Sequence, residues 1–295
     1  MHSILTQQER CVWLILGCGI ASIEHGDIRT LTEHEDSRPS TNPRVSIITI
    51  AYENRDGLKS TVESVLAQDA RRSDWELVIV DGGSMDGSFE YLHSIDHFAN
   101  WSSQPDRGVY HAMNIGLGRA SGDYHIFLNA GDIFFDTESL STVINALVTN
   151  PTWLVGGAMH MNPGGAPFVV ANRPHRWERH ALGFQPHCHQ ACVFRADLSS
   201  VLGGYSEEFG FAGDFDFILR AGLVESPLEV GEIIARYEGG GKSATGGDET
   251  PQLLHRIRVE RMQLGRIASA IDMIVVRRQQ LRQRAVSVKR RLLLK

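Results

Sequence analysis

Between Val45 and Leu128 the chain alternates between two kinds of apolar pattern. Val45-Ser-Ile-Ile-Thr-Ile-Ala-Tyr52 and Trp75-Glu-Leu-Val-Ile-Val80 are β-branched and almost continuously apolar, as strands buried on both faces of a parallel sheet are. Tyr124-His-Ile-Phe-Leu128 is a third, shorter run. Between them the period changes. From Asp56 to Gln68, Leu58, Val62, Val65 and Leu66 recur at helical spacing, behind an Asp at capping distance. Ser88 to Ile95 and Val109 to Ala120 read as further helices, the second with Ala112, Ile115 and Leu117 inward. The alternation predicts an α/β fold with a mostly parallel central sheet flanked by helices. Tyr52, Asp81 and Asp132 fall at or just past the strand ends, where ligands bind in such sheets.

The second half is less regular. Trp153 to Met161 fits a strand, followed by a Gly/Pro loop from Asn162 to Pro167. Ala196 to Leu202 fits a helix. Phe215 to Ala221 starts another, with Asp214 at its N-terminal end, and Glu232 to Tyr237 fits a last strand before the Gly-rich run 239–247. Leu264, Ile267, Ile271, Ile274 and Leu281 then recur at helical spacing among arginines. The organisation expected is an N-terminal extension (1–43), a main α/β body (44–250, divided near 135/136) and a basic amphipathic helical tail (251–295).

Charge sharpens this division. The net charge of −6 conceals a tail, 255–295, with 12 Lys and Arg against 2 acidic residues, on an acidic remainder. An acidic body argues against a nucleic-acid-binding domain. Four cysteines (Cys11, Cys18, Cys188, Cys192) are too few to staple 295 residues, so a reducing compartment is the default. The longest apolar run, Cys11 to Ile23, is too short to span a membrane, and no Lys/Arg cluster of an export signal precedes it. A poorly ordered or surface-packed arm is the reading preferred for 1–43.

Three motifs invite over-reading. Gly17-Cys-Gly19 imitates a dinucleotide fingerprint without its third glycine. Gly241-Lys242-Ser243 imitates the end of a phosphate-binding loop, but Arg236 stands where that loop needs a glycine. His187, Cys188, His189 and Cys192 offer soft metal ligands without the second separated pair a structural zinc site draws on. A wall of the cleft is the better reading. Asp132 and Asp214 are the carboxylates of interest: Asp132 fits a ligand for a hard divalent cation, against the plainer reading of a turn Asp, and Asp214 could be a mere helix cap.

Four ordered segments tip that balance: Val45 to Leu58, Val78-Ile-Val-Asp-Gly-Gly-Ser-Met-Asp-Gly87, Gln104-Pro-Asp-Arg-Gly-Val-Tyr-His-Ala-Met-Asn-Ile-Gly116 and Ser121-Gly-Asp-Tyr-His-Ile-Phe-Leu-Asn-Ala-Gly-Asp132. Together they resemble a family 2 glycosyltransferase of the GT-A fold, a Rossmann-like architecture, in the branch that builds bacterial exopolysaccharide and cell-surface glycans. Cys188-His-Gln, Phe211 to Arg220 and Gly239-Gly-Gly-Lys-Ser243 extend the likeness over about 44–245.

The resemblance implies an inverting transfer of a sugar from a nucleotide diphosphate, UDP foremost, to a hydroxyl of a glycan or lipid-linked acceptor. It places Ala51, Tyr52 and Asn54 along the nucleoside and gives Asp81 a hydrogen bond to the base. It sets Asp106, Arg107 and Asn114 near the diphosphate or sugar, and makes Asp132 the carboxylate for Mn2+ or Mg2+ and Asp214 the general base. His187, His189 and Gln190 are acceptor-side candidates. Two departures stand out. The family's Asp-x-Asp is Asn129-Ala-Gly-Asp132 here, so metal binding is weaker or a His completes the shell. Gly213-Asp214 replaces the frequent Glu-Asp pair.

A Gln-x-x-Arg-Trp motif is lacking, which argues for single-sugar addition. The competing readings are a sugar nucleotidyltransferase, whose Gly-rich loop after the first strand is missing from Ala51-Tyr-Glu-Asn54, and a degenerate binding or scaffold subunit, conceivable because of Asn129. The tail implies a cytoplasmic protein held peripherally on the anionic inner face of the cell membrane; packing on the acidic body is the plainer alternative.

Overall fold

The computed structural model describes residues 44–162, 165–239 and 250–293. The expectations for 1–43 and for the glycine-rich run 240–249, Gly241-Lys242-Ser243 included, lie outside the described residues. Strands β1 (Val45–Ala51), β2 (Trp75–Asp81), β3 (Ala99–Ser103) and β4 (Tyr124–Phe127) pair in parallel, in the spatial order β3-β2-β1-β4. Ala51 lies opposite Asp81, and Asp81 opposite Ser103, so the carboxyl ends of three strands are level. Beyond β4 the sheet becomes mixed. β8 (Cys192–Arg195) runs antiparallel to β4, then follow β6 (Trp153–His160), β9 (Leu228–Tyr237) and the two-residue β5 (Ile133–Phe134), with β7 (Phe168–Val170) on β6.

The near-continuous apolar strands are explained by a core on each face. Ile47, Leu77 and Ile79 pack against Leu58, Val62 and Val65 of α1 (Arg55–Leu66) and Leu140, Val143 and Ile144 of α4 (Ser139–Leu147). Ile48, Ile50, Val78 and Val80 point the other way. They meet Tyr110, Ala112 and Met113 of α3 (Val109–Arg119) and Phe217, Ile218 and Ala221 of α7 (Gly213–Val224). A Cβ on Gly116 would stand 2.5 Å from the Ile48 side chain, so α3 approaches β1 this closely only with glycine there. Short helices α2 (Ser88–Ser94), α5 (Trp177–Ala181) and α6 (Ala196–Val201) complete the body.

The basic segment forms two helices, α8 (Thr250–Arg261) and α9 (Arg266–Leu293). Leu254 and Ile257 of α8 share a third core with Trp177, Phe209, Phe215 and Leu219. Arg258 is fully buried; its guanidinium bonds Asp272 of α9 at 2.8 and 3.0 Å and the Ala181 carbonyl at 2.8 Å. Arg261 reaches Asp216 of α7 at 2.6 Å. α8 is thereby packed on the helix that carries Asp214.

Candidate active site

A cavity of about 530 Å³ opens beside the carboxyl edge of the parallel strands. Its walls come from the start of α3 (Arg107 to His111 and Met113), the loop after β4 (Asn129, Ala130, Asp132), His189-Gln190, the 207–211 loop, Asp214 and Tyr237. Asp132 and Asp214, 82 residues apart in sequence, face the same space.

Asp132 is placed by its loop and by α1. Gly131 takes a positive φ of 106°, the Asp132 N–H donates to the Asn129 carbonyl at 2.8 Å, and Thr61 Oγ1 donates to the Asp132 carbonyl at 2.7 Å. Its carboxylate is buried. Gln190 Nε2 donates to Oδ2 at 2.9 Å, and the Cys188 thiol donates to Gln190 Oε1 at 3.1 Å, which fixes the amide's orientation. Burial pushes Asp132 up to about 7, with the Glu238 carboxylate adding to the rise and the hydrogen bond from Gln190 opposing it. A buried carboxyl with so little compensating positive charge favours a cation. The neighbouring Asn129 Oδ1 is buried without a hydrogen-bond partner. One carboxylate and one amide oxygen suit a hard divalent ion that takes its other ligands from diphosphate and water. Among the described residues no group of three His, Cys, Asp or Glu is arranged to hold a metal unaided.

Asp214 lies in the first turn of α7, where the helix N-terminus favours negative charge. Its Oδ1 accepts the Phe215 N–H at 2.8 Å and the Tyr110 hydroxyl at 3.1 Å. Burial and the adjacent carboxylate push the Tyr110 phenol far above its ordinary range, so it remains a donor. Tyr110 stacks on Tyr205, whose hydroxyl pairs with His189 Nε2 at 2.7 Å. Tyr110 was not singled out from the sequence. Its signal was an aromatic in the first turn of a helix opened by Gly108.

The other expected site residues divide. Arg107 lines the cavity, its guanidinium held by Glu207 at 2.8 and 3.1 Å. His189 and Gln190 also line it. His187 does not: it stacks with His175 and His180 behind the wall, its Nε2 2.7 Å from His175 Nδ1. Tyr52 is 67% exposed, and a Cβ on Gly82 would stand 3.1 Å from the Tyr52 ring and 2.8 Å from Asp106 Oδ2; Asp106 Oδ1 accepts the Gly108 N–H at 2.7 Å. Ala51 is buried at the end of β1. Asn54 caps α1 through the Gly57 N–H and donates to the Ala130 carbonyl at 2.9 Å.

Two residues are engaged internally. Asp81 is fully buried. Its Oδ2 accepts from Gly83 N, Ser84 N and Ser103 Oγ, and its Oδ1 from Ser84 Oγ, so four donors of the fold already reach this carboxylate. Asn114 bonds both backbone groups of Tyr205 at 2.8 Å and holds the loop entering the cavity. Burial pushes the Cys188 thiol up to about 12 and the Cys192 thiol well above its ordinary value.

Comparison with known proteins agrees with this architecture. Residues 46–190 match the model of Glycosyl transferase family 2. An uncharacterized glycosyltransferase of Mycobacterium tuberculosis is 37% identical over 198 residues, which cover 66% of this chain and 75% of that protein. The chain belongs to glycosyltransferase family 2. It is a glycosyltransferase, and family membership displaces the nucleotidyltransferase reading. A PGL/p-HBAD biosynthesis glycosyltransferase of Mycobacterium bovis is 29% identical over 218 residues, 69% of this chain and 80% of that one. Among solved structures, Staphylococcus aureus TarS (residues 1–349) in complex with UDP-GlcNAc superposes with a TM-score of 0.63 at 17% identity, covering 79% of this chain and 70% of that one. The mannosyltransferase PcManGT of Pyrobaculum calidifontis, with GDP-Man and Mn2+, gives 0.58 at 17% identity, covering 89% and 81%. These structures establish the GT-A fold.

Proposed function

We propose that this family 2 enzyme is an inverting, non-processive transferase. It moves a sugar from a nucleotide diphosphate, UDP-linked, to a hydroxyl of a glycan or lipid-linked acceptor in cell-surface polysaccharide or glycolipid synthesis. The observation that carries the reading is the shared cavity of Asp132 and Asp214. One carboxyl is buried and short of positive charge; the other is held at a helix N-terminus by two donors. The mycobacterial relative, a PGL/p-HBAD biosynthesis glycosyltransferase, and the TarS complex with UDP-GlcNAc support the acceptor and donor classes.

In this reading Asp214 takes the proton of the acceptor hydroxyl as its oxygen bonds the anomeric carbon and the bond to the diphosphate breaks on the opposite face. Tyr110 and the Phe215 N–H hold the Asp214 oxygen in place. Asp132, with Asn129, would hold Mn2+ or Mg2+, and the bound ion supplies positive charge to the departing diphosphate. Gln190, oriented by Cys188, keeps the Asp132 carboxylate facing the cavity. Tyr52 and Asp106, both beside Gly82, border the nucleoside. The enzyme works peripherally at the inner face of the cell membrane, where lipid-linked acceptors present their sugars.

The test is a panel of nucleotide sugars, screened by thermal shift with and without manganese and followed by turnover of the best stabiliser. Turnover is expected to need the divalent ion and to disappear in Asp132→Ala. Full activity of the native enzyme in excess chelator, or of the variant, would remove the metal from the account. Stabilisation by no nucleotide sugar, with or without metal, would favour the degenerate subunit.

A further inference from the structure

We propose that the outward face of α9 is a docking surface for an anionic lipid bilayer. The helix has two different sides. Ala268, Asp272 and Val276 are buried, and Asp272 is closed off by Arg258 and by His255 Nδ1 at 2.5 Å. On the opposite side Ile267, Ile271, Ile274 and Leu281 form one row, spaced i, i+4, i+7 and i+14, and are 77%, 37%, 54% and 64% exposed. Large aliphatics clustered on one helix face mark an interaction site rather than the scattered exposure usual on a surface.

Charge selects the occupant. From Arg266 to Leu293 the helix carries eight Lys and Arg, and its single acidic residue, Asp272, is already neutralised inside the fold. Arg266, Arg277 and Arg278 are exposed along the same stretch as the apolar row. Pairing this face with the same face of a second copy would set cations against cations. A bilayer with anionic headgroups takes the isoleucines at the acyl boundary and the arginines at the phosphates.

The surface is firmly connected to the catalytic body. Asp272 binds Arg258 of α8, Arg261 of α8 binds Asp216, and Asp216 follows Asp214 by two residues on α7. A docked α9 therefore sets the orientation of the cavity toward the membrane. This deepens the peripheral-membrane part of the proposed function and is independent of the chemistry in the cavity.

The experiment uses the full chain and sedimentation with phosphatidylcholine vesicles, with and without phosphatidylglycerol, at low and high salt. The wild type is expected to bind the anionic vesicles at least tenfold more tightly than the neutral ones, and to be released by salt. Ile267→Glu/Ile274→Glu is expected to lose at least tenfold in that binding, with melting temperature and turnover of a soluble acceptor unchanged. Arg277→Gln/Arg278→Gln should weaken it less. Equal binding of the wild type to both vesicle types, or to neither, overturns the membrane reading. Retained binding by the isoleucine variant overturns only this surface. A dimer that the isoleucine variant dissociates would assign the face to a second copy instead.

Discussion

Asp132 has lost most of its water and faces Glu238, so it keeps its proton up to about pH 7. Asp214 takes a phenol hydroxyl and a backbone amide at the start of α7. The same side chain thus stands in two different surroundings, which fits the two tasks proposed for it, as for carboxylates in one active site. Tyr110 separates this account from a plain helix-cap reading of Asp214. Tyr110→Phe keeps the ring on Tyr205 and deletes only the hydroxyl. A hydrogen bond to a charged group is worth about 1.5–3 kcal/mol, so transfer should slow by about tenfold or more. Donor KM should stay within about twofold and the melting temperature should hold, since only the placement of the base is lost. In an Asp214→Asn background the same change should cost nothing further. An unchanged turnover number in the single variant, or fully additive losses in the double, would separate Tyr110 from the base.

At the scale of elements, the buried parallel strands β1, β2 and β4 and helices α1, α3 and α7 were legible to within a residue or three, because burial on both faces imposes a continuous apolar run. β3 was not: only Ala99 of its five residues is buried, so an edge strand has no apolar pattern to show. β5 and β7, two and three residues long, are below what a period can reveal. The sequence places the cap of α1 at Asp56, but Asn54, two residues nearer the strand, makes the bond. The strand-end carboxylates Asp81 and Asp132 were legible as positions and not as roles. Nothing in the sequence tells that Asp81 meets a serine 22 residues on, or that Asn114 meets a backbone 91 residues on. Short polar side chains at strand ends serve the backbone or a ligand equally well, and only the fold shows which donors have already reached them. Gln190 was legible as a cavity residue; its contact with Asp132 comes from pairing β8 beside β4.

Across the whole molecule, three buried histidines are kept neutral: His180 and His187 behind the cavity wall, and His125 within β4. Burial holds His125 and His187 down to about 3 and His180 to about 4, with neighbouring imidazoles lowering His187 further. Their folded values lie below the ordinary 6.5, so the unfolded chain binds protons first as the solution is acidified. The stability they contribute is present above about pH 6.5 and is lost as pH falls toward 3 to 4. Asp132 works in the opposite sense: its value is raised, so without metal the fold loses stability as pH rises from about 4 to about 7. Three depressed histidines outweigh one raised carboxyl. The melting temperature of the metal-free protein should therefore fall steadily between about pH 6.5 and 4.5, as scanning calorimetry would record. A flat or rising profile there would mean that these imidazoles are not neutral in the folded protein.

The central claim is that Asp214 acts on the acceptor and not on the donor. The decisive measurement compares wild type and Asp214→Asn, using the nucleotide sugar that best stabilises the protein, by calorimetric donor binding and by transfer rate in the same buffer. The account predicts donor affinity within a few-fold of wild type and transfer reduced by about a hundredfold or more, as removal of a general base does. Donor affinity that collapses together with the rate, or transfer that persists at the wild-type rate, would contradict it.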